Sequence, residues 1–290
     1  MSPPSAARIE HFERVPAEFA QYVVDVDAAA KLLGLSPEQT AELAPDALPH
    51  TADPERGPLF DYVDLMNLAL FAGTSRDSIP ELALRFLLRF AAGARPTWYE
   101  PRHWLVRVRA PRAEDDEASK DLRLLRPDVS APGVDELDPR DLPIAAAAKA
   151  SVEPPGYEVV VRLTGAEETV LETEVRSIYD GLLDTVRSGT VVYQSVSEEL
   201  RMQHERAWDL GMADCVVISR LLAQKLREAG YRARARRGYL LGLVGSDHAW
   251  CEYFEDGRWK TLDIVFAFLA GGEPAPPWAL AGVSATTWES

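Results

Sequence analysis

The sequence predicts an α+β fold, in which a helical amino-terminal region precedes a carboxy-terminal unit built around an antiparallel sheet. Three observations carry this expectation. Apolar residues recur at helical spacing through much of the first hundred positions. Asp256-Gly257 stands between two alternating apolar runs, a hairpin signal because a type I′ turn needs positive φ at both central residues. Before that hairpin, Asp214 and Cys215 are followed by Ile218, Leu221, Leu222 and Leu226, which reads as an N-cap and one apolar helical face.

Taken in order, short helices are expected around Pro16 to Val24 and Asp27 to Leu33, and a third is opened by Ser36, Pro37 and Gln39 in capping-box order. Leu59 to Phe71 has helical apolar spacing, and Ser78-Ile-Pro80-Glu81 starts another apolar helix running to about Phe90. His103 to Arg109 alternates Trp104, Val106 and Val108 with basic neighbours, as a strand with one buried face does. Acids at 114–117 and prolines at 127, 132, 139 and 143 mark an exposed excursion or linker. Tyr157 to Leu163 and Thr169 to Val175 read as a strand pair around Gly165, and Ile178 to Val186 as a helix. The division expected is 1–110 helical accessory region, 111–156 acidic proline-rich connection and 157–290 catalytic unit.

At 290 residues, 47% apolar and 27% charged, the chain can bury a substantial core. A formal charge of -15, from 46 acidic and 31 basic residues, argues against nucleic acid or anionic membrane as partners. Neither a basic-then-apolar leader nor a run of about 18 apolar residues is present, so a cytoplasmic protein is expected. Two cysteines do not make a disulfide framework, and the five histidines show no metal-ligand spacing, so no metal site is expected.

The chemistry concentrates between Trp208 and Ala270. Cys215 falls in the first turn of its helix, where unpaired N–H groups and the helix dipole favour a thiolate, although the charge of Asp214 works against this. Taken alone, Cys215 reads equally as a small buried core residue. The hairpin register places Phe254 opposite Trp259, Trp250 opposite Asp263 and His248 opposite Val265. His248, Trp250 and Asp263 then share one sheet face, with Asp263 diagonal to His248 at about 7–8 Å between Cα atoms, within reach of a hydrogen bond. Cys251 sits at an odd offset from His248, which points it to the other face as a structural residue and disfavours a disulfide to Cys215. A thiol, an imidazole and an orienting carboxylate are the parts of nucleophilic catalysis.

These residues resemble the transglutaminase-like superfamily, whose fold is papain-like. The resemblance rests on Cys215 and the helix ending Leu226-Arg227-Glu-Ala-Gly230, then Tyr-Arg-Ala233-Arg234 and Gly238-Tyr239, then His248-Ala-Trp250 and Trp259-Lys-Thr-Leu-Asp263. With the helix near Ile178 and Tyr193, it covers roughly 176–266. It implies that Cys215 is the nucleophile, His248 the general base and acid, and Asp263 the orienting carboxylate, with no cofactor. The Cys215 N–H is the natural oxyanion donor. Trp208, Tyr193 and Gln194 are candidates for a second donor, and Trp208, Trp250 and Tyr193 for substrate contact. Ala213 stands where the family commonly has glycine, two residues before the cysteine. Substrates implied are peptides, amides or acyl thioesters, the last with a carrier protein as a possible partner. Hydrolysis of a peptide or amide is placed ahead of biosynthetic amide formation, and a catalytically inactive binding module is the third reading. Arg232, Arg234, Arg236 and Arg237 form a basic stripe, expected to pair with the protein's own acids.

Overall fold

The structure, a computed structural model, describes residues 12–72, 99–109, 133–137, 156–165, 169–241, 245–269 and 288–289. The helix expected from Ser78 to Phe90 lies outside them.

The amino-terminal unit comprises β1 (Tyr22–Val24), α1 (Val26–Leu33), α2 (Pro37–Ala47), β2 (His50–Asp53), β3 (Gly57–Asp61) and α3 (Tyr62–Ala72). Its strands form an antiparallel sheet in the order β1-β3-β2. Asp25 caps α1 by accepting from the Ala28 N–H, and Gly34 at φ 65° ends that helix in the left-handed region. The capping box at α2 is present on both sides, Ser36 with Gln39. Phe12, Leu33, Leu48, Phe60, Leu65 and Leu68 form this unit's core.

Two expectations need correction here. Residues 16–24 are not helical: a turn at 17–19 leads into β1, and Asp61 Oδ2 accepts the Gln21 N–H at 2.7 Å, tethering the segment to β3. Leu59 and Phe60 belong to β3 rather than to a helix, because Asp61 Oδ1 accepts the N–H groups of Val63 and Asp64 and so starts α3 only at Tyr62.

A second antiparallel sheet joins β4 (Arg102–Arg109), β5 (Val134–Leu137) and β6 (Gly156–Leu163) in the order β4-β6-β5. The strand expected from His103 to Arg109 is β4, and its Trp104 and Val106 pack on Val134, Val159, Val161 and Leu163. The expected pairing of 157–163 with 169–175 does not occur. β6 pairs instead with β4 and with β5, a strand inside the stretch read as a connection, and 173–175 already belong to a helix.

The remaining elements are α4 (Thr173–Arg187), β7 (Val192–Tyr193), α5 (Glu198–Met202), α6 (His204–Asp209), β8 (Met212–Ala213), α7 (Cys215–Glu228), β9 (Ala233–Leu241), β10 (Gly245–Glu255), β11 (Arg258–Leu262), α8 (Ile264–Leu269) and β12 (Trp288–Glu289). β7 and β8 pair in parallel, and the antiparallel sheet runs β11-β10-β9-β12. Apolar residues of α4, α7, α8 and this sheet fill one core, with Leu183, Ile218, Leu222, Leu226, Tyr253 and Phe266 among its most buried members.

The hairpin has the expected tip, with Asp256 at φ 53° and Gly257 at φ 77°, and the expected register from Phe254↔Trp259 to Cys251↔Leu262. Beyond Leu262 it departs from expectation. Asp263 leaves the strand and α8 begins, so neither Trp250 and Asp263 nor His248 and Val265 are ladder partners. His248 pairs with Gly238 of β9 instead.

Two side-chain amides join the amino-terminal unit to this unit. Gln194 accepts the Glu13 N–H and donates to the Glu13 carbonyl, both at 2.8 Å. Asn67 accepts the Ser195 N–H at 2.7 Å and donates to the Ser195 carbonyl at 3.0 Å. Among the described residues no helix is long and apolar enough to cross a membrane.

Candidate active site

Three elements meet at Cys215. The residue opens α7, whose N-cap Asp214 has an extended backbone and accepts the N–H groups of Val216 and Val217 with Oδ1, each at 3.0 Å. The N–H of Cys215 precedes the first bond within the helix, which runs from Ile218 to the Asp214 carbonyl. Its side chain is half-buried.

From β10, His248 projects into the same place and is 2% exposed. Its Nε2 lies 2.6 Å from Asp263 Oδ2, and Cys215 stands close enough to the same imidazole to act on its charge. Because the carboxylate occupies Nε2, Nδ1 is left for the sulfur. Burial alone would lower the histidine's pKa, but the Asp263 charge and hydrogen bond, with a smaller contribution from Cys215, hold it well above the ordinary value. The ring is therefore favoured as imidazolium beside the sulfur, the state in which it can hand a proton to a leaving group.

Asp263 is itself fixed twice. Its Oδ1 accepts the Phe266 N–H at 2.8 Å, which makes it the cap of α8, and its carbonyl accepts the Tyr179 hydroxyl at 2.9 Å. The same carboxylate thus ends a strand, starts a helix and orients an imidazole. Trp250 lies against the histidine, ring centroids 6.4 Å apart and planes 24° apart, and its indole N–H reaches Glu252 at 3.3 Å.

The other residues expected around the site fall in different places. Tyr193 is half-buried, with its ring 6.0 Å from that of Phe268. Burial first, then the negative charge of Cys215, Asp214 and Asp263, keeps its phenol protonated, so it stands near the sulfur as a neutral hydroxyl. Trp208, on α6, packs against the core, and no described contact brings it to the sulfur. Trp250 is 3% exposed and packs on the imidazole, and it lines the same small cavity as Cys215 and Asp263. Gln194 holds Glu13 with its amide oxygen and one N–H, which fixes the amide at the seam with the amino-terminal unit.

Cys251 is free and fully buried in the core, its thiol directed to the Glu252 carbonyl at 3.7 Å, and burial raises its pKa far above the ordinary range. The basic stripe is paired internally. Arg234 and Arg236 face Glu252, Arg237 faces Asp247 and Glu198, and Arg232 and Arg234 cover the Phe254 and Trp259 rings. Two contributors escaped the sequence reading. Tyr179 and Arg201, the latter bonded to Asp214 Oδ2, come from helices whose patterns signal only packing or charge.

No curated protein matches the chain. A solved structure from Cytophaga hutchinsonii, described as "a Putative Cysteine Protease", is similar at 15% identity over 66% of this chain and 77% of that one, with a TM-score of 0.30. Residues 157–264 match the family model of the transglutaminase-like superfamily, a span that includes Cys215, His248 and Asp263. Residues 157–264 of this chain are a transglutaminase-like domain of mixed α+β construction.

Proposed function

We propose that the protein is a cysteine-dependent acyl-transfer enzyme that forms a thioester at Cys215 and hydrolyses a peptide or amide bond. One observation carries the reading: a buried His248–Asp263 pair at 2.6 Å, with Cys215 at a helix start beside the same imidazole. In the first step the Cys215 thiolate attacks the carbonyl carbon and the C=O electrons move to oxygen. The Cys215 N–H, ahead of the helix bonds, and the Tyr193 hydroxyl are the donors available to that oxyanion. Collapse expels the amine, which takes the His248 proton, and leaves a thioester. His248, now neutral, removes a proton from water, the hydroxide attacks the thioester, and the proton returns to the sulfur–imidazole pair as the acid departs. Asp263 holds the ring in orientation throughout.

A second reading, amide formation from an acyl-thioester donor such as a loaded carrier protein, is favoured by the amide brackets that tie the amino-terminal unit to the loop following Tyr193. Those brackets set that unit beside the segment that carries Tyr193. Offering an acylated substrate together with water and a trial amine separates the two readings. A product containing the amine counts against plain hydrolysis. The inactive-module reading is tested by iodoacetamide at mild pH. Fast labelling at Cys215 and slow labelling at Cys251 supports an enzyme; equal, slow labelling would refute it.

A further inference from the structure

Asp214 poses a problem for a nucleophile at Cys215, since an adjacent carboxylate opposes thiolate formation. The structure contains an answer on α5. Arg201 Nε meets Asp214 Oδ2 at 2.5 Å, where the aspartate side chain is 6% exposed and the arginine 23%. Arg201 Nη1 also binds Glu198 Oε2 at 2.8 Å. From there the alternation continues, Glu198 Oε1 to Arg237 Nη1 at 3.5 Å and Arg237 Nη2 to Asp247 Oδ2 at 3.1 Å. Opposite charges thus run from the residue before Cys215 to the residue before His248. The outer links are weak, because Glu198 and Asp247 are 59% and 54% exposed and water screens them. The link to Asp214 is the sheltered one.

The charged and titratable groups on the elements around the nucleophile are Asp214 before α7, His248 on β10, Asp263 after β11, Tyr193 on β7 and Arg201 on α5. Without Arg201, these would set two carboxylates against one imidazolium. With it, the positive and negative charges balance around the thiolate.

We propose that Arg201 is a positioning residue of this site, neutralising Asp214 so that the aspartate can cap the nucleophile's helix without opposing the thiolate. The inference rests on the acyl-transfer reading above. It assigns Asp214 and Arg201 to one unit: the carboxylate organises the first turn, and the guanidinium removes the electrostatic penalty of having it there.

The test is the pH dependence of iodoacetamide labelling at Cys215, resolved from Cys251 by peptide mass, in the full chain and four variants. Arg201→Met should move the profile to higher pH and slow labelling near pH 6 about tenfold, the effect of about one pKa unit from an uncompensated neighbouring carboxylate. Arg201→Lys, which restores charge without the fork, should recover most of that loss. Asp214→Asn keeps a capping oxygen and should label at least as fast as the wild type. Arg201→Met/Asp214→Asn should return to the Asp214→Asn profile. A wild-type profile in Arg201→Met, or a double variant as slow as Arg201→Met, would overturn the assignment while leaving the acyl-transfer reading intact. If Arg201→Met fails to fold, the other arms decide: an Asp214→Asn profile moved to higher pH overturns it. A wild-type Cys215 that labels like an ordinary thiol overturns the acyl-transfer reading and this inference together.

Discussion

Replacing Asp64 by asparagine should stabilise the protein at neutral pH, by an amount that vanishes in mild acid. Asp64 is 1% exposed in the amino-terminal unit; Oδ1 accepts the Val15 N–H at 3.0 Å, while Oδ2 is buried without a hydrogen-bond partner among the described residues. Burial, opposed by the Val15 N–H and then reinforced by Asp61, raises its pKa from 3.8 to about 6, with Arg14 pulling the other way. A carboxyl group whose pKa is raised by folding favours the native state fully below the unfolded value, and that advantage is lost as pH climbs through the folded value. The window is therefore pH 3.8 to about 6. At 1.36 kcal/mol per unit, the ionised group costs roughly 3 kcal/mol above pH 6. Asparagine keeps the oxygen that serves Val15 and cannot ionise. Part of the gain is offset because Arg14 loses a nearby negative charge, so about 1–3 kcal/mol is expected at pH 8 and close to nothing at pH 4. Urea unfolding of both proteins at pH 4, 6 and 8 measures this. A difference that is flat across pH, or largest at pH 4, would refute the reasoning.

Other consequences follow from the same physics. Asp263→Asn keeps an oxygen for the Phe266 N–H but presents an NH2 to His248 Nε2; this forces the proton onto Nδ1, facing the sulfur, and turnover should fall about 10⁴-fold while far-UV circular dichroism is retained. A loss below tenfold would remove Asp263 from the mechanism. Glu255 presents the reverse case to Asp64: burial would raise its pKa, but Lys260, the Tyr253 hydroxyl and the Leu171 and Glu172 N–H groups pull it down from 4.5 to about 2. Its contribution, up to about 3 kcal/mol, is present above pH 4.5 and lost as pH falls towards 2, so Glu255→Gln should lower stability in urea at pH 7 and match the wild type near pH 2. Gln194→Ala leaves the Glu13 N–H and carbonyl without partners and should cost about 1–3 kcal/mol in thermal unfolding. A melting temperature unchanged within a degree would show that this bracket contributes nothing.

The hairpin that carries His248 was legible because its information is local. Asp256-Gly257 sets the tip, alternation sets the faces, and the pairing holds through Cys251↔Leu262. The ladder stops one residue short of Asp263 because that side chain captures the Phe266 N–H and starts α8, a capping event that strand alternation does not encode. The His248–Asp263 contact nevertheless forms, since a residue just past the end of a strand still reaches its diagonal neighbour. Where partners are distant in sequence, the reading failed. Nothing near Tyr157 announces β4 or β5 as its neighbours, and Leu59-Phe60 fits a helical stripe as well as a short strand until Asp61 is recognised as a cap. Arg201 lies thirteen positions before Asp214 on a five-residue helix, with no periodic signature linking the two.

The seam between the amino-terminal unit and the transglutaminase-like domain is asymmetric in what it asks of evolution. Each amide of Asn67 and Gln194 grips only main-chain atoms, those of Ser195 and Glu13. Mutational drift at positions 13 and 195 is therefore cheap for any residue that retains its N–H, and proline alone is barred. The two gripping amides have no such latitude, because a shorter or acidic replacement cannot both give and receive a proton at that span. Sequence variation among relatives sharing this docking should accordingly be lopsided: invariance at 67 and 194, permissiveness opposite them.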